Sequence, residues 1–344
     1  MSVGLADPLS LPQWDRWVEA YPDAFFFHGA GWARILRETY GHRPVYPCQL
    51  SGEGIETALP LMEVCSRITG RRGVSLPFTD FCPALGEDET KRKGLFEAAM
   101  NEGRRRRWRY LECRNLNDGW AGATPSLSFW GHWIDLTVGA KRLWTGLGDS
   151  VRRNVRKAQK AGLTVQYGRG EASMAAFFRL HCQTRKRHGL PPQPRSFFSN
   201  IRKGMSAKGG GEVGVAFRDG KAVAAAVYLN FGRRAFYKFG ASDEREQEWR
   251  GNDLLMWTSM ERFATEGFDQ MHLGRTSMKH EGLRRFKLGF GPEEETIGFC
   301  RYDFGRECFV TSEDKVEGWH NRVFSAFPGP ALRLAGKLLY GHLS

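Results

Sequence analysis

The sequence predicts an α/β protein in which one α/β unit occurs twice in tandem. Two observations carry this. The order helix, β-hairpin, helix, strand appears twice, about one domain length apart, with negligible identity between the copies. The 344 residues, 41% hydrophobic and 13% aromatic, are also enough to bury two ordinary cores.

The first copy opens with an amphipathic helix, Trp32 to Tyr40, stopped by Gly41. Val45 to Leu50 reads as a strand, Ser51 to Gly54 as a turn, and Ile55 to Val64 as the returning strand. A helix near Lys91 to Arg106 and a strand from Tyr110 to Arg114 follow. Between the copies, Ser150 to Ala161 reads as a helix capped by Ser150 and stopped at Gly162. Arg152, Arg153, Arg156, Lys157 and Lys160 fall on one side of it, Val151, Val155 and Ala158 on the other.

The second copy begins with a helix from Met174 to Arg187 that ends before Pro191-Pro192. Glu212 to Phe217 and Ala222 to Phe231 are strands joined at Asp219-Gly220, with Ala235 to Gly240 a third. Leu254 to Thr265 is a helix, and Phe268 to Leu273 the strand after it. A short basic-aromatic helix, Leu283 to Lys287, then runs into the glycine turn Gly289-Phe290-Gly291. Pro330 to Leu343 reads as a basic amphipathic helix. The expected division is 1–140, 141–315, and a terminal helix in 316–344.

The balance of 51 Lys+Arg against 38 Asp+Glu gives +13, which attracts anions without naming them. Seven cysteines, an odd number with no Cys-x-x-Cys, fit a reducing compartment. No His-Glu-x-x-His spacing occurs, so no metal is expected. The first 25 residues carry Asp7, Asp15, Arg16 and Glu19 and read as no signal peptide, and the longest apolar stretch, Ala222 to Leu229, is too short to cross a bilayer. A cytosolic protein is expected. The aromatics are not interleaved with the basic runs, so DNA is not an expected partner.

Several residues are placed for chemistry. Lys287 is either a cation for a developing oxyanion or a surface lysine over Phe286 and Phe290. Arg275 ends a strand, where α/β sheets hold ligands. Tyr237 is a proton donor or acceptor, or a packed aromatic. Arg153, Asn154 and Lys157 lie on a helix that is either a phosphate clamp or a solvated face.

The chain resembles the FemAB-type aminoacyltransferases and related tandem GNAT-fold acetyltransferases. The resemblance covers most of the chain. It rests on Phe27-His28-Gly29-Ala30-Gly31-Trp32 with Tyr40-Gly41-His42, on Leu59-Pro60-Leu61, and on Arg153-Asn154-Val155-Arg156-Lys157-Ala158. Asn252-Asp253-Leu254-Leu255 and the stretch from Gly274-Arg275 to Gly291 complete it. In length and arrangement the chain is also similar to FemAB-type proteins associated with exosortase and exopolysaccharide gene clusters.

The resemblance implies two tandem GNAT-like domains, with the terminal helix packed on the first. It implies transfer of an acyl or aminoacyl group to an amine of an anionic cell-envelope or exopolysaccharide precursor. The co-substrate would be acyl-CoA or aminoacyl-tRNA, with no permanently bound cofactor. Lys287 is the position matched to the family's catalytic lysine, and Arg34, Arg153 and Lys157 to its acceptor-phosphate contacts. Founding members insert a coiled-coil arm for tRNA, and no heptad insertion is read here.

In a GNAT domain the turn Trp249 to Asp253 would offer Arg250, Gly251 and Asn252 to a pyrophosphate at a helix N-terminus. This turn lacks the second small residue of the usual signature; Asn252 and Asp253 read as N-caps, and Asp253 would repel a pyrophosphate. A different outcome is a non-catalytic scaffold of a membrane-associated polysaccharide system, its terminal helix resting on the inner membrane face.

Overall fold

The computed structural model describes residues 3–22, 24–52, 54–114, 120, 123–206, 210–311 and 319–343. Glu53 of the first turn and residues 316–318 of the tail lie outside the described residues. The chain forms two compact units. The first comprises Met1–Phe129, Thr296–Asp314 and Leu338–Ser344; the second comprises Trp130–Glu295 and Lys315–Lys337.

The first unit contains β1 (Gly4–Ala6), α1 (Trp14–Glu19), α2 (Ala30–Tyr40), β2 (Arg43–Pro44), β3 (Tyr46–Ser51), β4 (Gly54–Ala58), β5 (Met62–Ser66), β6 (Gly70–Val74), α3 (Glu89–Arg106) and β7 (Tyr110–Arg114). Helix α2 buries Trp32, Ala33, Ile35 and Leu36 and ends where Gly41 turns left-handed, φ 72°. Helix α3 starts where Asp88 accepts the Lys91 amide at 3.1 Å. The single strand expected over Ile55 to Val64 is two strands, β4 and β5. Pro60 between them has no amide hydrogen to give a ladder.

The second unit contains β8 (Leu127–Asp135, from Trp130 on), α4 (Gly139–Gly146), α5 (Asp149–Lys160), β9 (Thr164–Gly168), α6 (Glu171–Arg187), α7 (Arg195–Ser206), β10 (Gly211–Arg218), β11 (Lys221–Phe231), β12 (Arg234–Ser242), α8 (Gly251–Thr265), β13 (Gln270–His272), β14 (Thr276–Ser277) and α9 (Glu281–Leu288). Strand β15 (Glu293–Asp303) enters the first unit at Thr296 and lies antiparallel to β7, from Phe299 opposite Arg114 to Asp303 opposite Tyr110. Strand β16 (Cys308–Phe309) pairs with it. Helices α10 (Trp319–Ser325) and α11 (Gly329–Leu339, through Lys337) return to the second unit.

The sheet of the second unit runs β9-β10-β11-β12-β13-β8, antiparallel throughout except for the parallel pair β12/β13. Val151, Val155 and Ala158 of α5 join Leu254, Trp257 and Phe263 of α8 and Met271 of β13 in its core. The apolar side foreseen for α5 is therefore the side that is buried, although its cap position is Gly148, not Ser150.

Each unit holds a strand, a helix and a second strand parallel to the first: β6, α3, β7 in one and β12, α8, β13 in the other. Of the doubled order expected from the sequence, helix, hairpin, helix, strand, this arrangement contains the closing helix and strand in each copy. In the first unit the parallel partner is β6, a strand not read from the sequence. Its Gly73 and Gly70 dilute the β-branched pattern, and Gly73 is required because Trp108 fills the space a Cβ would take.

Candidate active site

Strands β12 and β13 stay together for three residue pairs only, Arg234–Gln270 to Phe236–His272. Beyond them β12 continues to Ser242 with β11 as its ladder partner among the described residues, so its other edge opens. A bulge at Val227/Tyr228 sets Tyr228 opposite Tyr237 and Val227 opposite Phe239, adding local twist where the strands part.

The chain then passes Asp243, which caps the turn by accepting the Arg245 amide at 3.1 Å, and reaches α8. A cavity of about 160 Å³ lies at this helix start. It is lined by Val223 and Ala224, by Ser242 and Asp243, by Glu246 and Gln247, by Arg250 to Asp253, and by Phe286 of α9. The first-turn amides of α8 have no acceptor within the helix, and the helix dipole adds positive potential there. A Cβ on Gly251 would stand 3.1 Å from Val223 and 3.3 Å from Ala224, so its backbone rests tightly on β11.

The helix is not capped as expected. Arg250 occupies the cap position with left-handed φ 60° and no side-chain cap bond, while Asn252 and Asp253 already lie inside the helix. The Asp253 carboxylate instead accepts Asn154 Nδ2 of α5 at 3.0 Å. Burial raises its pKa, with the Asn154 bond opposing. Lys157 Nζ lies 5.9 Å from the Trp249 ring, which also carries Arg218 at 3.7 Å. Asn154, Lys157, Arg250, Gly251 and Asn252 are thus gathered at one helix start. Arg153 is exposed on α5, and Arg34 is exposed on α2 of the first unit.

Lys287 is buried, 3% exposed, which overturns the surface-lysine alternative. Its Nζ donates to the Gly274 carbonyl at 2.7 Å and the Arg275 carbonyl at 3.1 Å. It therefore pins the backbone just after β13, and Arg275 contributes to this through its main chain. Helix α9 is held in turn. Its His280 cap accepts the Leu283 amide at 3.1 Å, and the Gly148 amide donates to the Gly289 carbonyl at 2.9 Å.

Three groups beside Lys287 were not singled out from the sequence. Buried His132 of β8 places Nε2 3.2 Å from Glu294, and Glu294 is gripped by Arg284 at 2.9 and 2.7 Å. Burial, then the Lys287 cation, press His132 down to about 4, so it is neutral near pH 7. The Arg284 hydrogen bond holds Glu294 below the usual carboxylate range. The available signal was a histidine two residues before Ile134 in an aromatic-rich strand, but β8 itself went unread.

Tyr237 packs 5.8 Å from Tyr228, and a Cβ at Gly240 would collide with its hydroxyl. Burial pushes its phenol up to about 12, so near pH 7 it can give a proton but not take one.

Residues 149–288 match the family profile described as acetyltransferase (GNAT) domain. No curated protein matches. Among solved structures the chain is similar to FemX, with TM-score 0.68 and 12% identity over 89% of this chain and 98% of that one. It is similar to a tandem GNAT protein from the clavulanic acid biosynthesis pathway, with TM-score 0.57 and 13% identity over 91% and 99%. It is also similar to the C-terminal domain of a putative lysylphosphatidylglycerol synthetase from Agrobacterium fabrum, with TM-score 0.54 and 16% identity over 78% and 86%. The fold is α/β with tandem GNAT-like domains, and the profile match lies over the segment that builds the cavity.

Proposed function

We propose that the chain is an N-acyltransferase that passes an acyl or aminoacyl group to an amine of an anionic cell-envelope or exopolysaccharide precursor. The observation that carries this is the cavity at the start of α8, beside the open edge of β12 and inside the acetyltransferase-like segment. The donor's phosphates would lie on the amides of Gly251 and Asn252 with Arg250 and Lys157 over them. Its acyl group would extend along β12 toward Lys287.

In the reaction the amine nitrogen attacks the acyl carbonyl carbon, and the carbonyl electron pair moves to oxygen. The tetrahedral species collapses with cleavage of the C–S bond of a thioester or the C–O bond of an ester. The amine loses a proton to solvent, the leaving thiolate or alkoxide gains one from Tyr237, and solvent returns a proton to the phenolate, which burial disfavours and so makes short-lived. Lys287 would hold the Gly274–Arg275 backbone in register with the developing oxyanion and add its positive field. Within the second unit, Arg153, Asn154 and Arg275 are the acceptor contacts of this reading.

Acetyl-CoA and aminoacyl-tRNA are tested separately, each with a phosphorylated amino-sugar acceptor, by mass of the product. Gly251→Val, which crowds the cavity floor, should abolish donor binding while the chain still melts cooperatively. A donor that binds the variant as well as the wild type would remove the cavity from the mechanism. The non-catalytic reading has one observation in its favour, the carboxylate of Asp253 in the first turn of α8. Retention of a precursor with no turnover of either donor would support it.

A further inference from the structure

A larger cavity, about 940 Å³, lies elsewhere in the second unit, between α6, the start of α7 and α11. On α6 the stripe Ala175, Phe178, Arg179, Cys182 and Lys186 follows helical spacing and faces it along three turns. Pro194 and Arg195 close one end, and Arg333, Leu334 and Lys337 of α11 form the opposing wall. Gly336 seats α11, since a Cβ there would collide with the Pro192 carbonyl oxygen. The Asn321 side chain donates to the His188 carbonyl at 3.1 Å and holds the preceding helix α10 beside the end of α6.

The chemistry of this groove is two-sided. Its floor is apolar: Phe178, Ala175, Pro194, Leu334, and a Cys182 thiol that burial pushes up to about 11 and so keeps neutral. Its rim carries five cations, Arg179, Lys186, Arg195, Arg333 and Lys337, and no carboxylate lines it among the described residues. Arg195 alone of these has an ion pair among the described residues, with Glu171 at 3.1 Å. Leu334 and Leu338 stand one helical turn apart on α11 and are 58% and 62% exposed. A free phosphate would leave the floor wet, and an uncharged apolar ligand would leave four cations, Arg179, Lys186, Arg333 and Lys337, unmatched. An anionic amphiphile satisfies both, and a lipid leaflet would also cover the exposed Leu334.

We propose that this groove docks on an anionic membrane leaflet and seats one phospholipid, its acyl chain over Phe178 and Leu334 and its phosphate among Arg179, Arg333 and Lys337. The docking does not depend on the acyl donor or on the cavity at α8. Each basic residue near an anionic leaflet strengthens binding about fivefold, and apolar burial adds to this.

The test is vesicle co-sedimentation of the full chain with phosphatidylcholine alone and with added phosphatidylglycerol. Partition should appear only with the anionic lipid. Arg333→Glu with Lys337→Glu should weaken it at least about tenfold. Leu334→Ser, at an exposed position of α11 facing the groove, should weaken it several-fold while leaving the charge unchanged. Three results overturn the proposal: no partition to anionic vesicles, wild-type partition of Leu334→Ser, or full displacement by inorganic phosphate at matched ionic strength. The second would reduce the effect to surface charge and the third to a simple anion site.

Discussion

Removing the Lys287 ammonium would leave the Gly274 and Arg275 carbonyls without this donor in a buried setting. Lys287→Met is therefore expected to cost about 1–3 kcal/mol of stability. If the pinned backbone also serves the oxyanion, turnover should fall about 100-fold or more at temperatures where the variant remains folded. Turnover within a few-fold of wild type would leave Lys287 a structural clamp only. Asp253 gives the opposite expectation. Its folded pKa is raised, so its contribution is fully present below the ordinary aspartate value and is lost as pH rises through the folded one. Asp253→Asn should thus stabilise the chain at pH 7, read by thermal unfolding, and tighten acyl-CoA binding, read by calorimetric titration. Weaker binding would mean the carboxylate itself contacts the ligand. Lysine and aspartate were both visible in the sequence, but not their surroundings. Lys287 is buried by strand ends more than ten residues away, and the Asp253 carboxylate, raised in pKa by burial, is bonded by Asn154 of α5.

At the level of elements, the start of α8 is the informative junction. Arg250 is left-handed at φ 60°, a conformation that costs a non-glycine residue about 1 kcal/mol. Arg250→Gly should therefore leave stability unchanged or raise it by up to about 1 kcal/mol. If Arg250 holds donor phosphate, the same change should weaken donor binding about tenfold. A stable variant with unchanged affinity would take Arg250 out of the site. Helices were legible from periodicity at α5, at α6, and at α8 from Leu254 on. The capping at α8 and α5 was not, because polar residues near a helix start suit several positions and only backbone dihedrals decide among them. Strands β8 and β15 escaped as well. Their mixed aromatic, glycine and charged residues hide the alternation, and pairing with distant strands holds them in place.

Across the whole molecule, three buried histidines set an acid limit. Burial lowers His42 and His132 to about 4 and His181 to about 3. Neighbouring cations, Arg72, Lys287 and Arg185, act in the same direction. Unfolded histidine binds its proton near pH 6.5, so the stability these groups contribute is complete above that value and is lost as pH falls toward 4. For His42 and His181 the contribution is on the order of a few kcal/mol each. The melting temperature should fall by roughly 5–10 °C between pH 7.5 and pH 5. Equal melting at both values would mean these rings are hydrated in solution.

The return of the chain at Thr296 also carries a consequence for biogenesis. Residues 1–129 leave the ribosome first, but the strand that covers β7 arrives only after the second unit's sheet has been made. At ordinary translation speeds that wait is on the order of ten seconds or longer. Throughout it β7, with Leu111 and Cys113 bound for the core, is one strand short of its finished neighbourhood. A nascent chain in that state is a natural client for holdase chaperones. Ribosome-bound chains stalled before Thr296 should be protease-sensitive in the first unit, and chains stalled past Asp314 protected.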